Sequence, residues 1–163
     1  DSYGNKVWDR IFGGAGQDEG YSVQQTSDGG YIITGRTLGT LGGDDVWLIK
    51  TDSYGNKVWD RIFGGAGQDW GYSVQQTSDG GYIITGYTTS RGAGGSDIWL
   101  IKIDPYGNEA WDSIFGGAGN NCGYSVKQTS DGGYIVAGWT DPYGSGALDV
   151  SLIKTDASGN LVE

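Results

Sequence analysis

The sequence is dominated by an internal repeat of about 50 residues. Residues 1–51, 52–103 and 104–155 form three successive units, and residues 156–163 begin a fourth. Over their first 37 positions, the first two units differ at only two places. A unit this short cannot bury its own hydrophobic faces, so it becomes stable only when it stacks on its neighbours. The repeat therefore predicts a modular array of three similar units.

Each unit reads as four short β-strands separated by turns. The strands are rich in Val, Ile, Tyr, Trp and Thr, which favour extended structure. The segments S-D-G-G and D-x-x-G-N carry glycine where a tight turn needs a positive φ. No segment shows a helical period over 11 residues, so we expect no helix. In the first complete stretch, the predicted strands are 21–26, 31–34, 46–50 and 57–63.

The distribution of apolar residues places the strands within a sheet. Residues 46–50 (VWLIK) are apolar at consecutive positions, which indicates that both faces of this strand are covered. Residues 57–63 (KVWDRIF) carry charges and are expected to be more peripheral. A four-stranded sheet with buried middle strands is typical of a propeller blade. We therefore predict an all-β fold of tandem four-stranded antiparallel sheets, of the β-propeller type, with three blades per chain.

One segment carries a family resemblance. The pattern T-S-D-G-G-Y-I-(I/V)-(T/A)-G occurs at 26–35, 77–86 and 129–138. With the strands that follow it, this pattern resembles WD-repeat and kelch blades. It is most similar to the prokaryotic β-propeller repeats of secreted and cell-surface proteins. The resemblance implies an extracellular or cell-surface protein, in which the strand YIIT lines the central channel and the strand YSVQQT is outermost.

Composition excludes several classes of protein. With 33 Gly but only 2 Pro and 13% aromatic residues, the chain is neither collagen-like nor a disordered linker. No apolar run approaches 18 residues, so no membrane span is predicted. A net charge of −10 without a basic patch argues against nucleic-acid binding. Without His and with one Cys, the chain lacks the usual general base, metal ligand and intrachain disulfide.

No motif points to catalysis, a metal or a cofactor. The D-x-x-G-N turns offer oxygen ligands for Ca²⁺ but are too short for an EF-hand loop, so we expect hairpin turns. The G-G-A-G segments lack the lysine or helix start that a phosphate cradle needs. Recurring carboxylates at Asp9, Asp60 and Asp112 are expected to make structural hydrogen bonds rather than a hydrolytic pair. We therefore predict a protein that is not an enzyme.

The most informative positions are those that change within an otherwise repeated frame. A repeated scaffold varies freely where packing does not dictate the residue, so we expect these side chains to be exposed. An exposed Trp or Tyr is the usual anchor for a protein partner or a sugar ring. Neutral change at solvent-exposed positions is the alternative. The two sets of equivalent positions are Glu19, Trp70 and Cys122, and Arg36, Tyr87 and Trp139.

The two ends of the chain suggest pairing with another copy. A first strand at 6–12 has no preceding VWLIK strand, and the last strong strand at 150–154 is followed only by a short stub. Unpaired strand edges are templates for other chains. Two copies would give a ring and many copies a filament, or the segment belongs to a longer array. The residues expected to pair between chains are Lys6, Val7, Trp8, Ile11, Phe12, Val150, Leu152, Leu161 and Val162.

Three functions are compatible with these features. The first is a structural and interaction scaffold at the cell surface, whose partners are further copies of itself and possible surface proteins. The second is a carbohydrate-binding propeller that uses Trp70, Tyr87 and Trp139. The third is a hydrolase whose site is shared between subunits. Because propellers host all three, the fold alone does not separate them.

Overall fold

The computed structural model describes residues 2–39, 42–141 and 147–162. These residues form three antiparallel sheets and no helix, which confirms the all-β prediction. Sheet 1 has the strand order β1-β2-β3-β4, sheet 2 the order β5-β6-β7-β8, and sheet 3 the order β9-β10-β11. The strands are β1 (Glu19–Gln25), β2 (Tyr31–Leu38), β3 (Asp44–Thr51), β4 (Lys57–Phe63), β5 (Asp69–Gln76), β6 (Tyr82–Thr88), β7 (Asp97–Ile103), β8 (Glu109–Phe115), β9 (Asn121–Gln128), β10 (Tyr134–Thr140) and β11 (Asp149–Thr155).

The sheets are out of phase with the sequence repeats. Sheet 1 takes its last strand, β4, from the start of the second repeat, and sheet 2 takes β8 from the start of the third. The equivalent segment of the first repeat, residues 6–12, forms no strand, so the prediction of a strand there is wrong. At the other end, Leu161 makes a single bridge to Thr155 beside β11. A strand needs a partner for its backbone groups, and among the described residues no sheet edge pairs with residues 6–12.

The order of strands within each sheet corrects the order that the resemblance implied. The YSVQQ strands β1 and β5, with β9, are edge strands, whereas the YIIT strand β2 lies between two others. Consecutive YSVQQ strands also contact each other, β1 with β5 and β5 with β9. These strands therefore lie on the side where the sheets converge. The expectation that YIIT lines this side and YSVQQT lies outermost is wrong.

Neighbouring sheets pack face to face through apolar side chains. The hydrophobic cluster between sheets 1 and 2 includes Ile32, Leu48 and Ile84. The cluster between sheets 2 and 3 includes the repeat-equivalent residues Leu100 and Val136. Outer-strand tryptophans close each cluster, because the Trp59 ring lies 5.9 Å from Tyr82 and the Trp111 ring 5.7 Å from Tyr134. The same contact set thus recurs at both interfaces.

The hairpin turns are stabilised by their own side chains. In the S-D-G-G turn, Asp28 accepts hydrogen bonds from the Thr26 hydroxyl and the Gly30 amide. The buried Lys50 ammonium lies 2.8 Å from the Asp28 carboxylate, and this contact lowers the pKa of Asp28 to about 2. In the D-x-x-G-N turn, Asp52 accepts from the amides of Tyr54 and Asn56. The prediction of hairpin turns is confirmed, since these carboxylates are used within the turn.

Candidate functional site

The six variable positions are cross-strand neighbours, one pair in each sheet. One member of each pair lies at the start of an edge strand, on the side where the sheets converge. The other member lies in the neighbouring strand, directly after the Y-I-(I/V)-(T/A)-G segment. Side chains paired in this way contact each other directly. A change at one position is therefore matched by a change at the other. The three pairs are Glu19 with Arg36, Trp70 with Tyr87, and Cys122 with Trp139.

In sheet 1 the variable pair is ionic. Arg36 binds Glu19 at 2.6 Å and also binds Asp44. These contacts raise the pKa of Arg36 above its usual value, and the Arg36 guanidinium lowers the pKa of Glu19. The guanidinium also lies over the ring of Trp70 in the next sheet, 4.3 Å from its centroid. Arg36 therefore joins sheet 1 to sheet 2 through a cation–π contact.

An aromatic cluster continues from this contact across the three sheets. Trp70 lies 5.5 Å from Tyr87 and 6.1 Å from Tyr21, measured between ring centroids. Tyr72 lies 5.2 Å from Tyr124 in the third sheet. Burial raises the pKa of both Tyr72 and Tyr87, so these phenols stay neutral.

Three invariant tyrosines of this cluster were missed by sequence reasoning. Tyr21, Tyr72 and Tyr124 are the extra residues of a β-bulge in each edge strand. A bulge redirects the side chain that it inserts, here toward the neighbouring sheet. The sequence carries a signal for the bulge, namely a glycine directly before each predicted strand, at Gly20 and Gly71, which lies inside the observed strand. Variation could not reveal these tyrosines, because all three units share them.

The prediction that the variable residues are exposed is wrong for two of them. Arg36 is 9% exposed and Cys122 is 3% exposed. Trp70, Tyr87 and Trp139 are half-buried, and only Glu19 is exposed. Each of these side chains lies opposite another variable side chain, so the fit to its cross-strand partner constrains it as well as its exposure.

Trp70 is packed against other groups of the protein. The Arg36 guanidinium lies over this ring and the Tyr21 ring stacks on it, so part of the ring is not available to a sugar. The more accessible part of the cluster is in sheet 3, where the Trp139 indole donates to the Tyr124 hydroxyl at 3.1 Å. Tyr124 is 54% exposed. Carbohydrate or protein binding through these aromatic residues stays a prediction.

The Cys122 thiol is expected to be chemically inert in the folded chain. Burial raises its pKa to about 12, so almost no thiolate is present at pH 8. We expect a thiol-specific reagent to modify the native protein at least about 100-fold more slowly than the urea-unfolded protein. Ellman's reagent at pH 8, with and without denaturant, measures this ratio. Equal rates would show that the thiol is accessible.

The recurring outer-strand carboxylates have structural partners. Asp60 accepts a hydrogen bond from the Trp47 indole at 3.0 Å, and Asp112 accepts one from Trp99 at 2.8 Å. This confirms the prediction of structural hydrogen bonds for these two residues. Among the described residues, no group of three or more Cys, Asp or Glu side chains is arranged to hold a metal ion. No helix in the described ranges is long and apolar enough to cross a membrane.

A different pair of carboxylates meets between sheets 1 and 2. Asp45 at the start of β3 and Asp69 at the start of β5 are 4% and 0% exposed. A Cβ added to Gly64 would overlap oxygen atoms of both side chains, so the two carboxyl groups lie next to each other. At the next interface the equivalent residues are Asp97 and Asn121, whose amide donates to the carboxylate at 3.3 Å. At this pair of positions, the second interface has an amide where the first has a carboxyl group.

The described residues leave the two outer sheet faces largely uncovered. On sheet 1, Val23 is 64% exposed, whereas its equivalent Val74 is 5% exposed. On sheet 3, Leu152 is 69% exposed, whereas its equivalent Leu100 is fully buried. The sheet 1 face forms a groove of about 530 Å³, whose lining includes Tyr31 and the N-terminal segment.

The N-terminal segment lies where an outer strand would lie. The ring centroids of Trp8 and Tyr31 are 5.7 Å apart, and Trp59 contacts Tyr82 and Trp111 contacts Tyr134 in the same way.

No protein-family model matches this chain, and a search of curated protein sequences finds no significant relative.

Proposed function

We propose that the protein is a non-enzymatic scaffold of the cell surface or extracellular space, which assembles by packing the sheet 1 face of one copy on the sheet 3 face of another. One observation carries this proposal. The two uncovered faces have the same repeat positions as the two halves of the interfaces that the chain already forms between its own sheets. Exposed apolar patches of this kind mark interaction sites.

Strand pairing adds to the face contact. Within the chain, β3 pairs with β4 so that Val46 lies opposite Phe63 and Leu48 opposite Arg61. In the described part of the chain, the edge of β11 is unpaired at the equivalent residues Val150 and Leu152, and Leu161 bridges only to Thr155. Applying the same register between copies places Phe12 opposite Val150 and Arg10 opposite Leu152.

The polar contacts of the interfaces support the same arrangement in part. The Ser22 hydroxyl and Gln24 amide oxygen accept hydrogen bonds from the backbone amides of β5. Ser73 and Gln75 accept from the amides of β9 in the same way. On sheet 3, Ser125 keeps the hydroxyl, but Lys127 replaces the glutamine acceptor. The contact between copies therefore has one hydrogen bond fewer than the contacts within the chain.

The number of copies decides the shape of the assembly. Two chains that close on each other contribute six sheets, within the range of about four to eight blades of closed propellers. A contact that does not close yields an open filament. Each copy carries a net charge of −10, so repulsion opposes assembly and added salt is expected to favour it.

The test replaces one exposed leucine of the sheet 3 face. We expect the unmodified chain to associate at micromolar concentration, and Leu152→Asp to weaken association at least about 10-fold, because a desolvated carboxylate would oppose the contact. Sedimentation velocity over a concentration series measures this, and electron microscopy distinguishes rings from filaments.

The matched control is Tyr106→Asp, which also introduces a carboxylate at an exposed apolar residue. Tyr106 is 76% exposed and lies in a turn of sheet 2, whose two faces are already covered. This variant should associate like the unmodified chain. Discrete monomers of the unmodified chain at micromolar concentration, or unchanged association of Leu152→Asp, would contradict the proposal.

A further inference from the structure

The buried carboxylates of Asp45 and Asp69 lack a donor for part of their oxygen atoms. In the described part of the chain, the Oδ1 atoms of both residues are buried and have no hydrogen-bond partner. Asp69 Oδ2 is satisfied, since it accepts from the Gly65 amide at 2.9 Å and from the Ser90 hydroxyl at 2.6 Å. A buried acceptor without a donor is costly, so these two Oδ1 atoms call for an explanation.

The charged groups around Asp45 and Asp69 do not neutralise the negative charge of the two carboxylates. The charged groups that act on Asp45 are Asp69 of β5 and Asp44 of β3, and both are acidic. Arg36, the nearby cation, is bound to Asp44 and Glu19. Burial, followed by the charge of Asp69, raises the pKa of Asp45 to about 6. Two ionised carboxylates in contact and out of water would repel each other strongly.

The equivalent interface shows what satisfies the pair. There, Asn121 occupies the position of Asp69, and its amide donates to Asp97 Oδ1. A protonated carboxyl group is also a donor, and it has nearly the same shape as an amide. One proton on the pair would therefore supply the hydrogen bond that the amide supplies in the other interface.

We propose that Asp45 and Asp69 share one proton, and that Asp149 of one copy and Asp18 of another form the same proton-sharing pair when the copies assemble. Asp149 and Asp18 are the repeat equivalents of Asp45 and Asp69. Asp18 Oδ2 accepts from the Gly14 amide at 2.8 Å, as Asp69 Oδ2 accepts from the Gly65 amide, whereas Asp18 Oδ1 accepts from the Thr37 hydroxyl in the single chain. The second half of this proposal rests on the proposed assembly, and the first half does not.

The direction of the pH dependence follows from the raised pKa of Asp45. A carboxyl with a pKa of about 3.9 in the unfolded chain and about 6 in the folded chain binds its proton more tightly when folded. Its contribution to stability is complete below pH 4 and is lost as the pH rises through 6. The chain has no His, so no side chain with an ordinary pKa titrates between pH 5 and 7.5.

The first test measures unfolding of the full chain by urea at pH 5 and pH 7.5, at a concentration where it is monomeric. The urea concentration at the unfolding midpoint should be lower at pH 7.5 than at pH 5 in the unmodified chain. In Asp69→Asn it should be nearly the same at both pH values. The reciprocal variant Asn121→Asp creates a second carboxyl pair, so its midpoint should fall further than that of the unmodified chain. The same fall in Asp69→Asn as in the unmodified chain would overturn the shared proton. So would stabilisation by added Ca²⁺ that a chelator reverses, because a cation would then hold the pair.

The second test measures association at the same two pH values. The unmodified chain should associate more tightly at pH 5, and Asp18→Asn should reduce this difference several-fold. An equal difference in Asp18→Asn would overturn the pair between copies. Absence of association at both pH values would overturn the proposed assembly and the pair between copies, while the unfolding test still decides the pair within the chain.

Discussion

Replacing Leu100 by alanine is expected to cost about 2–5 kcal/mol of the free energy of unfolding, because Leu100 is fully buried between sheets 2 and 3. The same replacement at Leu152 is expected to cost less than about 1 kcal/mol in the monomer. Leu152 has the same place in the repeat but is 69% exposed. Urea unfolding at low concentration measures both values.

Comparing these two variants separates the effect of burial from the effect of residue type and repeat position. Leu48 provides a further control, since it is fully buried between sheets 1 and 2 and should behave like Leu100. If Leu152→Ala were as destabilising as Leu100→Ala in the monomer, the sheet 3 face would have to be covered within the single chain. The conclusion that the sheet 3 face is uncovered in the single chain would then be wrong.

Replacing Gly86 by alanine is expected to destabilise the chain by at least about 3 kcal/mol, the upper range of overpacking. A Cβ at this position would overlap the backbone carbonyl oxygen of Trp70 across the bulge. Gly35 and Gly138 make the same close approach in sheets 1 and 3, to Glu19 and Cys122. The obstacle is backbone, so it cannot move aside as a flexible side chain would.

The matched control is Gly117→Ala, because a Cβ at Gly117 meets no atom within 4 Å. This variant is expected to lie within about 0.5 kcal/mol of the unmodified chain, as exposed substitutions generally do. Urea midpoints at constant pH compare the two. A tolerated Gly86→Ala would show that the strands do not approach each other as closely as the bulge requires.

The strands were predictable because their signals are local. The strand 57–63 was predicted with the observed bounds, and 46–50 lies within β3. Turn chemistry is local as well, so both the S-D-G-G and the D-x-x-G-N turns were predicted, and the structure adds the bonds of Asp28 and Asp52 to nearby amides. The strand at 6–12 was not correct, because a strand depends on a neighbour that the local sequence does not supply.

The candidate site was only partly predictable. Variation between repeats located the pairs that include Arg36 and Trp139, but it suggested exposure where the structure shows packing. The tyrosines of the bulges, such as Tyr72, are invariant and carried no such signal. The contact between Asp45 and Asp69 joins two sheets, so no spacing along the chain could indicate it.

By itself, the sequence determined the all-β class, the repeat and the turns, because these depend on side-chain periodicity and on glycine at fixed positions. The tertiary structure alone decided the order of strands, the partner of each variable residue and which faces stay uncovered. The physical reason is that a sheet is held by hydrogen bonds and contacts between distant segments. Leu100 and Leu152 occupy the same repeat position, yet one is buried and the other exposed because a neighbouring sheet covers only the first.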